Sequence, residues 1–375
     1  MSRQMGILFA GGGTGGHIFP GLAIAECIRE ARPDWPIQFL CSTRPGDASM
    51  LGAEQLGSKP VEFTCLPAQP FLLKPRGLLR FIGSWGGAVR SARAAIRSMR
   101  ERAGTVTVVA MGGFVAAPAA QAARAERCPI FMVNLDAVPG RANAWIARHA
   151  THVFTTAEIG PASWRRVSPI VRRAARAPGT PEHCKRLLGL DPSRPALLVT
   201  GASLGAQTIN KLMIALLEKY APILRNGAWQ VVHQSGKSDI EELRVSYRNA
   251  RVDAVVEPFF REMGVAWGCA EAAISRAGAG SVAEAWYNRV PTLFLPYPFH
   301  ADQHQKHNAK PLIAAGAAMV VEDRIEARDN VASVGPVIAA LLTDSQQRAV
   351  MRAAMGTLGH ADGAERVAEA LLTDT

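Results

Sequence analysis

The sequence predicts an α/β protein of two domains, each built on a parallel β-sheet. Three observations carry that expectation. Apolar runs of strand length alternate throughout with helix-length segments rich in Ala, Leu and Arg, the rhythm of βα units rather than of hairpins. The chain has 375 residues, beyond the roughly 250–300 at which a single core stops growing. Each half opens on a strand that runs directly into a glycine loop and a helix, which in a parallel sheet marks the ligand-binding edge.

In the first half the expected strands are 6–10, 37–42, 107–111, 130–135 and 152–155. Strand 6–10 leads into Gly-Gly-Gly-Thr-Gly-Gly-His (11–17). Gly11, Gly13 and Gly16 satisfy the dinucleotide fingerprint G-x-G-x-x-G. That fingerprint also needs an acidic residue where the second strand ends, and here the chain reads Cys41-Ser42-Thr43-Arg44. Arg44 can meet a 2′-phosphate, so an NADP-dependent dehydrogenase stays open. His17 and Pro20 depart from that motif. A histidine at a helix start beside glycines that receive a diphosphate can act as general base, phosphate ligand or simple cap. Strand 107–111 leads into a second such loop, Met111-Gly112-Gly113-Phe114.

Between them, residues 71–85 interleave large apolar side chains with Lys74, Arg76 and Arg80. The segment suits either a helix packed on the first domain or one lying in a membrane interface, with Leu78, Leu79, Phe81 and Trp85 inserted. From 161 to 195 Pro and Arg replace the strand rhythm, which places the domain boundary there.

The expected strands of the second half are 196–200, 229–234, 254–257, 272–275 and 291–296. A third glycine loop, 201–206, follows the first of these. Strand 272–275 opens Ser-Arg-Ala-Gly-Ala-Gly-Ser-Val-Ala-Glu (275–284). Gly278 and Gly280 are expected to free a sharp turn, Ser281 to cap the next helix and Glu284 to lie in its first turn. Backbone N–H groups at a helix start bind phosphate, and a carboxylate one turn in can take both hydroxyls of a ribose. Together they describe a nucleotide, although a solvated glutamate after a glycine turn is the plainer reading. Pro-Tyr-Pro-Phe-His-Ala-Asp-Gln-His-Gln (296–305) points further, to a sugar nucleotide. His300, His304 and His307 around Asp302 also have a spacing that suits zinc. No Asp-x-Asp stands at a strand end to hold a metal-bound diphosphate.

Composition narrows the classes. The chain is 48% apolar and 19% charged, with a net charge of +11. Its arginines are dispersed among alanines and aromatics make up only 6%, which speaks against nucleic acid and for an anionic membrane surface or a phosphorylated substrate. Six cysteines without a C-x-x-C suit a reducing cytoplasm, and Cys128 and Cys269 read as core thiols. No signal peptide and no spanning segment are expected.

Six motifs stand in a telling order: Gly-Gly-Thr-Gly-Gly-His-Ile-Phe-Pro-Gly-Leu-Ala-Ile-Ala (12–25), Met-Gly-Gly-Phe (111–114), Ala-Val-Pro-Gly-Arg-Ala-Asn (137–143), Gly-Ala-Ser-Leu-Gly-Ala (201–206), the 275–284 stretch, and Asp-Gln-His-Gln-Lys-His-Asn-Ala (302–309). Over essentially its whole length the chain resembles the MurG family, UDP-N-acetylglucosamine transferases that make lipid II for peptidoglycan, and so serve cell-wall biogenesis, shape and division. The resemblance implies a GT-B fold: an acceptor- and membrane-side Rossmann-like domain at 1–165, a UDP-sugar domain at 166–345, and C-terminal helices at 346–375, the last returning to the first domain. It implies an inverting, cofactor-free and metal-independent hexosyltransferase. GlcNAc would pass from UDP-GlcNAc to undecaprenyl-diphosphate-linked N-acetylmuramyl-pentapeptide at the cytoplasmic face of the plasma membrane, where the protein is peripheral.

Carried onto this chain, the family places Glu284 on the ribose, with Arg276, Gly280 and Ser281 in the same motif. Phe260 lies near the uracil, Ser203 and Arg172 near the phosphates, and His304 and Gln305 at the sugar hydroxyls. Thr14, Gly15 and Gly16 join the donor set, and Gly13, Gly112 and Gly113 take the acceptor diphosphate. His17 or Asp136 is the base. The chain also departs from the family: Val133-Asn134-Leu135-Asp136 replaces His-Glu-Gln-Asn, Leu204 replaces a glutamine, and Phe114 a tyrosine. The departures keep two alternatives open, a related transferase with another lipid or glycoside acceptor and a UDP-sugar-binding relic. An epimerase of the same fold would need acidic residues beside the sugar that the sequence does not offer.

Overall fold

The computed structural model describes residues 4–71, 74–157, 161–201, 206–298 and 303–373. Strand Met5–Gly11 is buried along its entire length. It pairs in parallel with Ile37–Ser42 on one side and Thr105–Gly112 on the other, while helices Gly15–Ala31, Pro75–Ala103 and Gly113–Ala125 pack on it. A strand covered on both faces reads as a continuous apolar run, and Ile7, Leu8, Phe9 and Ala10 are fully inaccessible. The sheet has seven strands, in the spatial order Glu62–Leu66, Ile37–Ser42, Met5–Gly11, Thr105–Gly112, Ile130–Asn134, His152–Thr155 and Arg165–Arg166. The chain first builds outward on one side of Met5–Gly11. Helix Pro75–Ala103 then carries it back to build the other side. The order therefore reverses between Met5–Gly11 and Thr105–Gly112, and a parallel sheet opens a crevice at the carboxyl ends of such a pair.

The second sheet has six parallel strands, ordered Ala254–Glu257, Gln230–Gln234, Ala196–Thr200, Ala272–Ser275, Thr292–Phe294 and Ala318–Val320. Its reversal lies between Ala196–Thr200 and Ala272–Ser275. Gly201, at the end of Ala196–Thr200, and the motif at 275–284 flank that point, as the loops at 11–14 and 112–113 flank the first.

The chain divides into one unit of Met1–Arg172 with Asp362–Thr375 and another of Arg173–Ala361. The divisions fall later than the expected 165/166 and 345/346. Residues just beyond 165 stay with the first unit because Arg166 pairs with Thr155 and Arg172 is bonded to Glu54. Helix Ser345–Thr357 stays with the second because Met351 and Met355 are buried in its cores. The final helix, Gly363–Thr373, packs on Gly15–Ala31. Its first residue must be glycine, since a Cβ there would run into the Ser168 carbonyl.

Candidate functional site

The first glycine loop is filled by the protein's own atoms. A Cβ on Gly12 would come within 2.5 Å of Asp47 Oδ2, and one on Gly13, whose φ is +91°, within 2.7 Å of the Phe114 ring. The Gly13 N–H donates to Asp47 Oδ2 at 2.8 Å, and the same oxygen accepts from the Ser42 N–H at 3.0 Å and the Ser42 hydroxyl at 2.6 Å. The N–H of Gly13 is thus spent on a buried carboxylate rather than held for a diphosphate. The Arg44 guanidinium caps the loop from outside, 4.9 Å over the Phe114 ring and 3.2 Å from the Gly13 carbonyl. Space opens one step later: a Cβ on Gly16 would meet nothing nearer than the Thr14 hydroxyl at 3.5 Å. Helix Gly15–Ala31 begins there without a side-chain cap, which leaves its first N–H groups for an anion.

His17, in the first turn of that helix, lies against the second loop. Gly112 (φ +101°) and Gly113 (φ +76°) bring their backbone to the imidazole: a Cβ on either would meet a ring atom of His17 at 3.1 Å. Thr14 Oγ1 lies 3.4 Å from His17 Nδ1. Desolvation holds His17 below the ordinary imidazole value, opposed by the charge of Asp136, a hydrogen bond to the Gly12 backbone and the charge of Asp47. Burial thus favours the uncharged form of the ring, the form able to accept a proton.

Asp136 sits half-buried in the loop after Ile130–Asn134. Asn134, fully buried, fixes that loop. Its amide donates to the Asp136 carbonyl at 2.8 Å and the Thr155 hydroxyl at 3.2 Å, and its oxygen accepts from Asn143 at 3.0 Å. A Cβ on Gly112 would also lie 3.1 Å from Asn143 Oδ1, so Asn143 joins His17 and Gly112.

In the second unit the 275–284 motif differs in detail from its sequence reading. Helix Ala279–Asn288 is N-capped by Gly278, not Ser281, and has no side-chain cap. Ser281 is buried inside the first turn, and Glu284 falls in the second. Gly278 takes an ordinary φ of −64°, so no strained turn calls for glycine there. What both glycines provide is room: a Cβ on Gly278 or Gly280 would meet nothing within 4 Å. Glu284 Oε2 accepts the Trp267 indole N–H at 2.8 Å, a partner the sequence reading did not identify.

Arg276 is buried and fully engaged. It donates to the Leu295 carbonyl at 2.8 Å and to the Thr208 hydroxyl, and pairs with Asp323 at 2.8 Å. Thr208 lies in the first turn of helix Gln207–Asn226, so this network ties the two elements at the reversal together. Arg172 belongs to the first unit. It forms a two-pronged pair with Glu54 at 3.1 and 2.7 Å, approaches Glu26 at 3.5 Å and stacks 5.2 Å over Phe19. Phe260 is buried in the core, and its N–H donates to Gln234. His304 opens helix His304–Asn308, and Gln305 Oε1 accepts the Tyr297 N–H at 2.9 Å. Ser203, Leu204, His300 and Asp302 lie outside the described residues. Among those described, no cluster of three or more His, Cys, Asp or Glu is placed to hold a metal.

The 71–85 segment enters helix Pro75–Ala103. Phe81 and Trp85 turn inward: Phe81 packs between Phe71 and Trp85, whose indole bonds Gln121. Leu79 (71% exposed), Ile82 (61%), Phe71 and Leu78 face outward, with Lys74, Arg76 and Arg80 exposed among them. Among the described residues no helix is long and apolar enough to cross a membrane.

Comparison with known proteins meets this geometry. Residues 7–155 match the glycosyltransferase family 28 N-terminal domain and 196–367 its C-terminal domain. A UDP-N-acetylglucosamine–N-acetylmuramyl-(pentapeptide) pyrophosphoryl-undecaprenol N-acetylglucosamine transferase from Chlorobaculum tepidum is 31% identical over 98% of this chain and 99% of its own. The enzyme of that name from Acidovorax sp. is 34% identical over 86% of this chain and 76% of its own. The chain belongs to the MurG family. The crystal structure of Acinetobacter baumannii MurG, 23% identical, covers 98% of this chain and 99% of its own with a TM-score of 0.69. That of CalG4, the calicheamicin glycosyltransferase, 17% identical, covers 99% and 98% with a TM-score of 0.62. Both share the GT-B fold of this MurG-family chain.

Proposed function

We propose that this chain transfers GlcNAc from UDP-GlcNAc to undecaprenyl-diphosphate-linked N-acetylmuramyl-pentapeptide, converting lipid I to lipid II with inversion at the sugar. The observation that carries the reading is the packing of His17 against Gly112–Gly113 at the reversal of the first sheet, where burial holds its imidazole below the ordinary value and the charge of Asp136 opposes that shift. His17 takes the proton of the acceptor hydroxyl, whose oxygen attacks the anomeric carbon of GlcNAc. The bond to the β-phosphate breaks and UDP leaves with the electron pair. Helices Gln207–Asn226 and Ala279–Asn288 both start without a side-chain cap, so their N–H groups can stabilise the departing diphosphate. Glu284, aimed by Trp267, receives the ribose hydroxyls. Arg276 and Arg172 support the site through the elements they fix. Phe71, Leu78, Leu79 and Ile82, ringed by basic side chains, meet the anionic cytoplasmic membrane surface that carries the acceptor. UDP release assayed with and without a lipid-diphosphate muramyl-peptide acceptor tests the reading. Acceptor-dependent release supports it, and release indifferent to the acceptor removes it.

A further inference from the structure

Gly12 and Gly13 of the first loop are shaped around the protein's own carboxylate, which comes from 34 residues beyond Gly13. Asp47 is buried in the first turn of helix Pro45–Gly52. Its Oδ2 gathers the Gly13 N–H, the Ser42 N–H and the Ser42 hydroxyl, so it staples the end of strand Ile37–Ser42 to the loop after Met5–Gly11. Gly12 admits it, since a side chain there would occupy the carboxylate's place. The stapled loop leads into Thr14 and the helix start at Gly15, and His17 hangs from that turn against Gly112 and Gly113. Burying a carboxylate costs desolvation, which its three donors offset, and those three bonds fix where the loop stands relative to strand Ile37–Ser42.

We infer that Asp47 is a positioning residue for the transfer reaction, holding the 11–14 loop so that the His17 imidazole faces the acceptor hydroxyl. The inference rests on the proposed role of His17 as base. A misplacement of about 1 Å at a catalytic group costs on the order of 10²-fold in rate. Asp47 also acts on His17 through its charge, in the same direction as Asp136, while Arg44 is the cation at the outer face of the same loop.

The test compares Asp47→Asn and Ser42→Ala with the wild type. The asparagine keeps the shape, removes the charge and turns an N–H₂ toward N–H donors. It should lower kcat about 10- to 100-fold, leave UDP affinity unchanged, and move the acid limb of the pH–rate profile to lower pH. Ser42→Ala removes one donor and keeps the charge, so it should lower kcat less and leave the acid limb in place. A residue serving stability alone would lower the unfolding midpoint without moving that limb. NMR titration of the His17 imidazole, without substrate, reads the same displacement independently of any transferase activity. A folded Asp47→Asn with unchanged His17 titration overturns the inference, as does wild-type kcat in both variants. If the titration moves but the wild type transfers no GlcNAc, the proposed function fails while the staple stands.

Discussion

Replacing Glu284 by alanine tests its proposed contact with the ribose. The carboxylate is aimed by a 2.8 Å bond from the Trp267 indole, and Trp267 is itself fully buried. A hydrogen bond to a charged group contributes roughly 1.5–3 kcal/mol, so each ribose bond lost should weaken UDP about 10- to 150-fold. The fold should survive. Alanine suits a helix interior better than glutamate, and the indole N–H left without its partner costs about 1–3 kcal/mol. Trp267→Phe is the companion variant: it keeps the carboxylate but removes the indole N–H that bonds it, and should weaken UDP by less than Glu284→Ala. Isothermal calorimetry with UDP reads both, and a thermal melt certifies folding. A folded Glu284→Ala that binds UDP as the wild type does would refute the assignment of the ribose site.

His17→Ala should lower turnover by roughly 10²–10⁴ with UDP affinity unchanged; a larger loss in Asp136→Asn would move the base to Asp136. Leu79→Ser with Ile82→Ser should reduce salt-sensitive binding to anionic vesicles, since each inserted apolar side chain contributes up to roughly 1.5–3 kcal/mol and each basic one about 1 kcal/mol. Equal vesicle binding by this variant would assign the exposed face another use. His233, buried between Tyr247 and Asn210, is pushed from 6.5 down to about 3 by desolvation. The unfolded chain therefore takes up this proton first, so this contribution to stability is complete above 6.5 and declines as pH falls toward 3. Urea titrations over that window should show a shallower decline in His233→Gln; identical slopes would contradict it.

The parallel strands were legible because strands buried on both faces leave continuous apolar runs, as Met5–Gly11 and Ala196–Thr200 do. Glu62–Leu66 escaped notice because it is an edge strand with a largely exposed face, and Ala318–Val320 because three residues carry no period. Within the site, local motifs located the loops, His17 and the Glu284 helix. They misassigned the cap to Ser281, because hydroxyl preference at an N-cap carried more weight in the reading than a glycine that sits there with an ordinary φ. Asp47 and Trp267 act on loop and carboxylate across 34 and 17 residues, and no spacing rule connects such pairs before the sheet brings them together. The resemblance put Arg276 in the motif around Glu284 and Arg172 near the phosphates, yet their carboxylate partners, Asp323 and Glu54, are visible only in the fold.

The most direct test of the account is the product formed from UDP-GlcNAc and a lipid-diphosphate-linked muramyl peptide. One disaccharide–peptide lipid should form per UDP released, with a β-linked GlcNAc whose anomeric configuration is inverted relative to the donor. An α-linked product, a GlcNAc epimer formed without acceptor, or UDP released with no disaccharide would contradict it.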